Sequence, residues 1–181
     1  MHLDAGDAAL IQIVDAALAE AARRSGPWLV CRPGCTQCCL GPFSINQLDA
    51  RRLRQGLAAL EVSDRDRAAR VRERARALVG QAVPPADAQT DDEPCPALDP
   101  ATGHCDLYAA RPLTCRTFGP PVRCGSDEVG VCELCFSGAT DDEIAACEVE
   151  IDPEGMESDL LAELDAATGE MEMTTVAAAL A

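Results

Sequence analysis

Eleven of the 181 residues are cysteine, and their spacing is the chain's main chemical resource. Four fall within nine residues, in Cys31-Arg-Pro-Gly-Cys35-Thr-Gln-Cys38-Cys39. The two-residue gap between Cys35 and Cys38 lets a tight turn aim both sulfurs at one metal, and Pro33-Gly34 supplies the bend that returns Cys31 to the same point. Adjacent side chains diverge in most backbone conformations, so Cys38 and Cys39 are expected to differ in use: one binds a second metal, serves as a redox thiol or packs. Cys95, Cys105 and Cys115 follow at intervals of ten, each beside a proline, a glycine or a turn. Scattered single cysteines are commonly buried as small apolar groups, but here the first knuckle still needs ligands. Four thiolates on zinc, or on an oxidised four-iron cluster, leave about two excess negative charges, which Arg111 and Arg116 are placed to offset by charge-assisted hydrogen bonds to sulfur. The third group, Cys124, Cys132, Cys135 and Cys147, has two readings. Either it forms a separate tetrahedral zinc site, or Cys132 or Cys135 completes the first site; Cys147 also has a reading as core alone.

The run Cys31 to Cys39, then Cys95-Pro-x-Leu, then Cys105-x-x-Tyr108-x-x-Arg111-Pro112-x-x-Cys115-Arg116-x-Phe118 resembles the bacterial YkgJ-like cysteine-cluster family, whose domains are described as zinc- or iron-chelating. The likeness covers residues 31–118. The common family form has two residues between its first two cysteines and a glycine after the second; this chain has three, with Thr36 in the glycine position. Relatives include proteins linked to flagellin lysine N-methylation, so the resemblance permits, without implying, a role as a component of a protein-modifying enzyme.

Elements that would position these thiols are mostly helical. Apolar residues from Leu10 to Ala22 recur near the helical period and predict a helix over 7–24, stopped by Gly26-Pro27. Ser44 with Gln47 reads as a capping box for a second helix with Leu48, Leu53, Leu57 and Leu60 on one face, and Ser63 with Asp66 as the cap of a third ending near Val79-Gly80. Six arginines of that third helix read as a solvated face opposite Val71, Ala75, Leu78 and Val79. Residues 81–94 read as a surface loop, 95–147 as loops and short turns with a helix over 141–147, and a last helix is expected from Pro153, capped by Asp152, to just before Gly169. Residues 174–181 are a short helix or a frayed end. Trp28 and Tyr108 are assigned to the core, His104 to a solvent-facing turn, and Met171 and Met173 to packing or disorder.

The expected fold is therefore mainly α with irregular cysteine-rich loops, a small metal-stapled single domain with a metal-chelating part over 1–147 and an acidic helical tail over 148–181. Aromatics are only 3% of the chain, so apolar burial alone makes a thin core and metal–thiolate bonds are a natural staple. The N-terminus lacks the basic start and apolar run of a signal peptide, and no apolar segment reaches membrane-spanning length, which predicts a cytoplasmic protein whose thiols stay reduced. All fifteen basic residues are arginine, as in a GC-rich bacterial genome, and none lies beyond Arg123. Residues 124–181 hold sixteen acidic residues and thus the whole net charge of −16. Such a charge disfavours nucleic acid and anionic membranes as partners and suits a solubilising face or a dock for a basic protein. Candidate metal ligands are Cys31, Cys35, Cys38, Cys39, Cys95, Cys105, Cys115, Cys132 and Cys135. A [4Fe-4S] cluster is favoured over zinc because eleven thiols exceed the four a structural zinc needs. No nucleophile elbow, P-loop or dinucleotide fingerprint is present, and whether the chain is an enzyme stays open.

Overall fold

The computed structural model describes residues 3–41, 43–80, 93–123 and 129–181; most of the surface loop expected over 81–94, and Cys124, lie outside them. The chain is mainly helical, with paired strands of two residues each, and forms two compact units. One comprises Met1–Arg32 and Arg116–Gly169, the other Pro33–Cys115 and Glu170–Ala181.

In the first unit, helix α1 (Leu3–Ser25) runs a turn earlier than its apolar period implied, with Asp4 in its first turn and Arg23 and Arg24 in its last, both favourable to the helix dipole. Gly26-Pro27 ends it in a single 3-10 turn, Gly26–Trp28. Leu10, Val14 and Ala21 are buried. Helices α5 (Asp141–Cys147) and α6 (Met156–Thr168) pack against α1, the latter through Leu160 and Leu164. Thr140 and Glu143 close a full capping box on α5. The last long helix starts at Met156 rather than Pro153, because Gly155 in the left-handed region turns the chain first. Asp152 still caps it from outside: its carboxylate accepts from the Met156 and Glu157 amides, each at 2.8 Å.

The second unit is built on α2 (Gln47–Ser63) and α3 (Arg65–Val79), with the short α7 (Val176–Leu180) laid across both. Leu53, Leu57, Ala68, Val71, Ala75, Val176 and Leu180 form one buried cluster. Two caps differ from the sequence reading. Asn46, not Ser44, accepts from the Asp49 amide at 2.9 Å, because Ser44 is already in strand β1 (Ser44–Ile45). Asp64, not Ser63, accepts from the Arg67 amide at 3.0 Å, because α2 continues through Ser63. Val79 is exposed rather than part of the core side of α3; Ala68 takes the place one turn before Val71 and Ala75. The C-terminal end is not frayed. Strand β4 (Thr174–Thr175) pairs antiparallel with β1, and Val176, Ala179 and Leu180 are buried.

Candidate metal centre

Three stretches of irregular backbone meet in the second unit, and each brings cysteines. The first is the turn carrying Cys35, Cys38 and Cys39. Residues 37–39 form one 3-10 turn, closed by Cys39 N–H donating to the Thr36 carbonyl at 2.8 Å. The second runs antiparallel to its end: Cys95 N–H donates to the Cys39 carbonyl at 2.7 Å, and Gly41 N–H to Glu93 at 2.8 Å. The third is a hairpin of strands β2 (Leu98–Asp99) and β3 (His104–Cys105), with Leu98 opposite Cys105. Asp99 locks its tip by accepting from the Ala101 amide at 3.1 Å and the Thr102 hydroxyl at 2.7 Å. A side chain at Gly103 would meet Gly34 at 3.6 Å, so the hairpin lies against the Cys35 turn. Cys95 and Cys105 pack on the apolar cluster of α2, α3 and α7.

Cys115 arrives on a separate short helix, α4 (Leu113–Arg116). The 3-10 turn before it, Tyr108–Ala110, sits directly on α2, and Gly56 makes this possible: a β-carbon there would overlap the Ala110 side chain. That is why a helix interior carries a residue that weakens helices.

Cys35, Cys38, Cys39, Cys95, Cys105 and Cys115 are all half-buried thiols in this unit, and none is in a disulfide. The last five feel one another's charge. Cys38 and Cys39 titrate as a pair: the Cys39 thiol holds the Cys38 thiolate down at about 6, and Arg111 adds to this. Cys39 is pushed far up by the same pairing, by burial and by the charges of Cys38, Cys95 and Cys105. Burial pushes Cys95 up to about 11 and Cys115 to about 12, with neighbouring thiolates adding to both. Cys105 rises too, chiefly by burial. Among the described residues, no three Cys, His, Asp or Glu side chains already surround a common point as a metal cage. The donor set nonetheless suits a soft thiophilic metal: burial and neighbouring thiolates keep Cys39, Cys95, Cys105 and Cys115 from ionising beside Cys38, and a cation among them removes that cost.

A family model described as "CxxCxxCC: Putative zinc- or iron-chelating domain" matches residues 30–135. The chain belongs to this family. The match takes in every cysteine but Cys147, running past residue 118 to include Cys124, Cys132 and Cys135. No curated protein and no solved structure matches the chain significantly. Among the described residues no helix is long and apolar enough to cross a membrane.

In this chelating domain the nine candidate ligands divide by unit. Six are those just described; Cys31, Cys132 and Cys135 lie in the first unit. The two arginines divide likewise. Arg111 belongs to the second unit and its charge lowers Cys38 and Cys105; its guanidinium lies 3.6 Å over the Tyr108 ring and its Nε donates to the Tyr108 carbonyl at 3.0 Å. Arg116 is buried in the first unit and donates to Asp15 at 2.7 Å. Tyr108 is exposed rather than core, serving as the platform for Arg111. Trp28 stacks on Phe136 at 6.1 Å in the first unit, while His104, Met171 and Met173 face solvent.

Two buried carboxylates that the sequence reading passed over hold the cysteine segments in place. Asp106, next to Cys105, accepts from Arg67 and, at 2.5 Å, from Arg74, while Arg74 also donates to the Pro96 carbonyl at 2.8 Å. Two arginines of α3 therefore clamp both sides of the Cys95–Cys105 segment instead of merely facing water. The signal was a lone aspartate flanking a cysteine beside an arginine-rich helix. Asp106→Ala is expected to cost about 2–3 kcal/mol in urea unfolding, less than a fully buried pair because both arginines reach solvent. Asp49 on α2 accepts from the Leu113 amide at 2.8 Å and from Arg52, tying down the start of α4 and hence Cys115. An Asp and an Arg three apart on the apolar stripe of α2 were the readable sign.

Proposed function

We propose that the six thiols of the second unit hold an iron–sulfur cluster of the [4Fe-4S] type, in a cytoplasmic redox or accessory protein. The observation that carries this is the meeting of three cysteine segments: Cys95 N–H donates to the Cys39 carbonyl, Cys105 pairs with Leu98 across the hairpin, and Gly103 of that hairpin lies against Gly34. A structural zinc uses four thiolates, and here the same segments offer six. A surplus thiol beside a cluster has a use as an exchangeable ligand or redox partner, whereas beside an inert zinc it mainly adds oxidation risk. The family's chemistry embraces both zinc and iron. Such a cluster supplies one-electron transfer at a potential set by charge, burial and hydrogen bonds to its sulfurs. The chain's own part is to desolvate the thiols, to place Arg111 against their charge, and to fix the Cys95–Cys105 segment through Asp106.

In protein reconstituted anaerobically with iron and sulfide, Cys95→Ser, Cys105→Ser and Cys35→Ser should each lose most of the iron and of the visible absorbance, while Cys147→Ser keeps both. Equal retention in all four variants would show that the centre lies elsewhere.

A further inference from the structure

In the first unit, two thiols from distant parts of the chain stand against each other: the Cys31 and Cys135 sulfurs are 3.9 Å apart, although 104 positions separate the residues in sequence. Neither is in a disulfide. The segments that carry them are held together independently of the sulfurs. Phe136 N–H donates to the Trp28 carbonyl at 3.3 Å, and the Trp28 and Phe136 rings stack at 6.1 Å. Cys132 N–H donates to the Gly119 carbonyl at 3.3 Å, and Cys135 N–H closes a tight turn onto the Cys132 carbonyl at 2.9 Å. The two thiols differ in exposure. Cys135 is 2% exposed, in a cluster with Phe136, Trp28 and Leu29, whereas Cys31 is open to solvent. Gly119 keeps the Cys31 sulfur uncovered on one side: a β-carbon there would stand 3.3 Å from it, and the φ of +124° favours glycine at that position.

An exposed thiol in contact with a buried one is the arrangement of an attacking and a resolving cysteine. Because the fold already holds the pair in contact, closing a bond between them is in effect unimolecular, and the chain entropy of joining residues so far apart has been met by folding. The sulfurs must approach from 3.9 Å to about 2.05 Å, a shift of the size that rotating the exposed Cys31 side chain supplies. We infer that Cys31 and Cys135 form a reversible redox pair, a thiol-modification site that takes a low-molecular-weight disulfide as its oxidant. The Cys31 thiolate attacks one sulfur of that disulfide, giving a mixed disulfide and releasing one small thiol. The Cys135 sulfur then attacks Cys31, forming the internal disulfide and releasing the second. Both protein protons leave on the two small thiols, so the protein gives up two electrons and the small disulfide accepts them. The product ties residue 31 to residue 135 within the first unit, and its exposed sulfur leaves it open to reduction by excess small thiol. None of the six thiols proposed to hold the cluster takes part, so the pair stands whether or not that proposal does.

The test uses the full-length protein with its metal centre loaded, treated without oxygen with oxidised glutathione, blocked with an alkylating reagent and cut with trypsin and a glutamyl protease. Cleavage after Glu133 separates Cys135 from Cys132, so the mass of a linked peptide identifies the partner. Wild type should lose about two more thiols per chain than Cys31→Ser and give a peptide pair linked through Cys31 and Cys135, which excess reduced glutathione reverses. Cys135→Ala, which keeps a small apolar group at that buried position, should instead stop with one glutathione on Cys31. Cys31→Ser, at an exposed position and so expected to fold, should give neither the link nor a glutathione on Cys135. The metal content of the loaded centre should be the same in all three. The inference is overturned if Cys31 is found linked to another cysteine, if wild type stops at the mixed disulfide, if Cys31→Ser loses as many thiols as wild type, or if either variant empties the metal centre.

Discussion

Asp49→Ala is expected to destabilise the second unit by about 3–5 kcal/mol, the range for removing one partner of a buried ion pair. Asp49 is 1% exposed and Arg52 5%, so the arginine would stay in the protein interior without the carboxylate that faces it. The same change removes the acceptor of the Leu113 amide at the start of α4. Against a total stability of about 5–15 kcal/mol, such a loss is large enough to leave much of the chain unfolded near physiological temperature. It also frees Cys115 from its place, so metal affinity should fall with stability. Urea unfolding followed by circular dichroism measures the first effect and metal content the second. A loss below about 1 kcal/mol would mean that Asp49 and Arg52 offset only their own desolvation.

Removing the metal should have the larger effect on the cysteine segments themselves. The six thiols sit in turns, a two-residue strand and the four-residue helix α4, with no long helix or sheet of their own to hold them. Structural zinc in small peptides supplies about 10–16 kcal/mol of apparent binding energy, more than most domains have in total stability. Chelation should therefore open residues 33–41 and 93–115 to protease and lower the thermal midpoint by about 10 °C or more. The helices α2, α3 and α7 have their own apolar cluster and should keep much of their far-ultraviolet signal. An unchanged midpoint after verified metal removal would show that the loops stand without the metal.

How much of this was readable beforehand differs from element to element. Helix α5 appears over 141–147 as expected, and α3 ends at Gly80 as expected, because helix ends are set by local signals. Two caps were misplaced by one or two residues because Ser44-Ile45-Asn46 and Ser63-Asp64 each offer two good capping oxygens. The choice falls to strand pairing in one case and to one more helical residue in the other. The 3-10 turn that carries Cys38 and Cys39 is not announced by their spacing. That Cys31 and Cys35 belong to different units was out of reach for a deeper reason. Spacing says that two thiols four residues apart are able to share a metal, but which compact unit each joins is decided by contacts with residues a hundred positions away, here Cys135 and Gly119. Arg116 shows the same limit: it sits next to Cys115 in sequence yet pairs with Asp15.

The central claim is that these thiols hold an iron–sulfur cluster. Protein expressed with ample iron and purified without oxygen, then analysed for iron, sulfide and zinc alongside its visible spectrum, tests it most directly. The account predicts a brown protein with about four irons and four sulfides per chain and a broad absorption that bleaches in air. A colourless protein holding only zinc that iron and sulfide do not displace would contradict it.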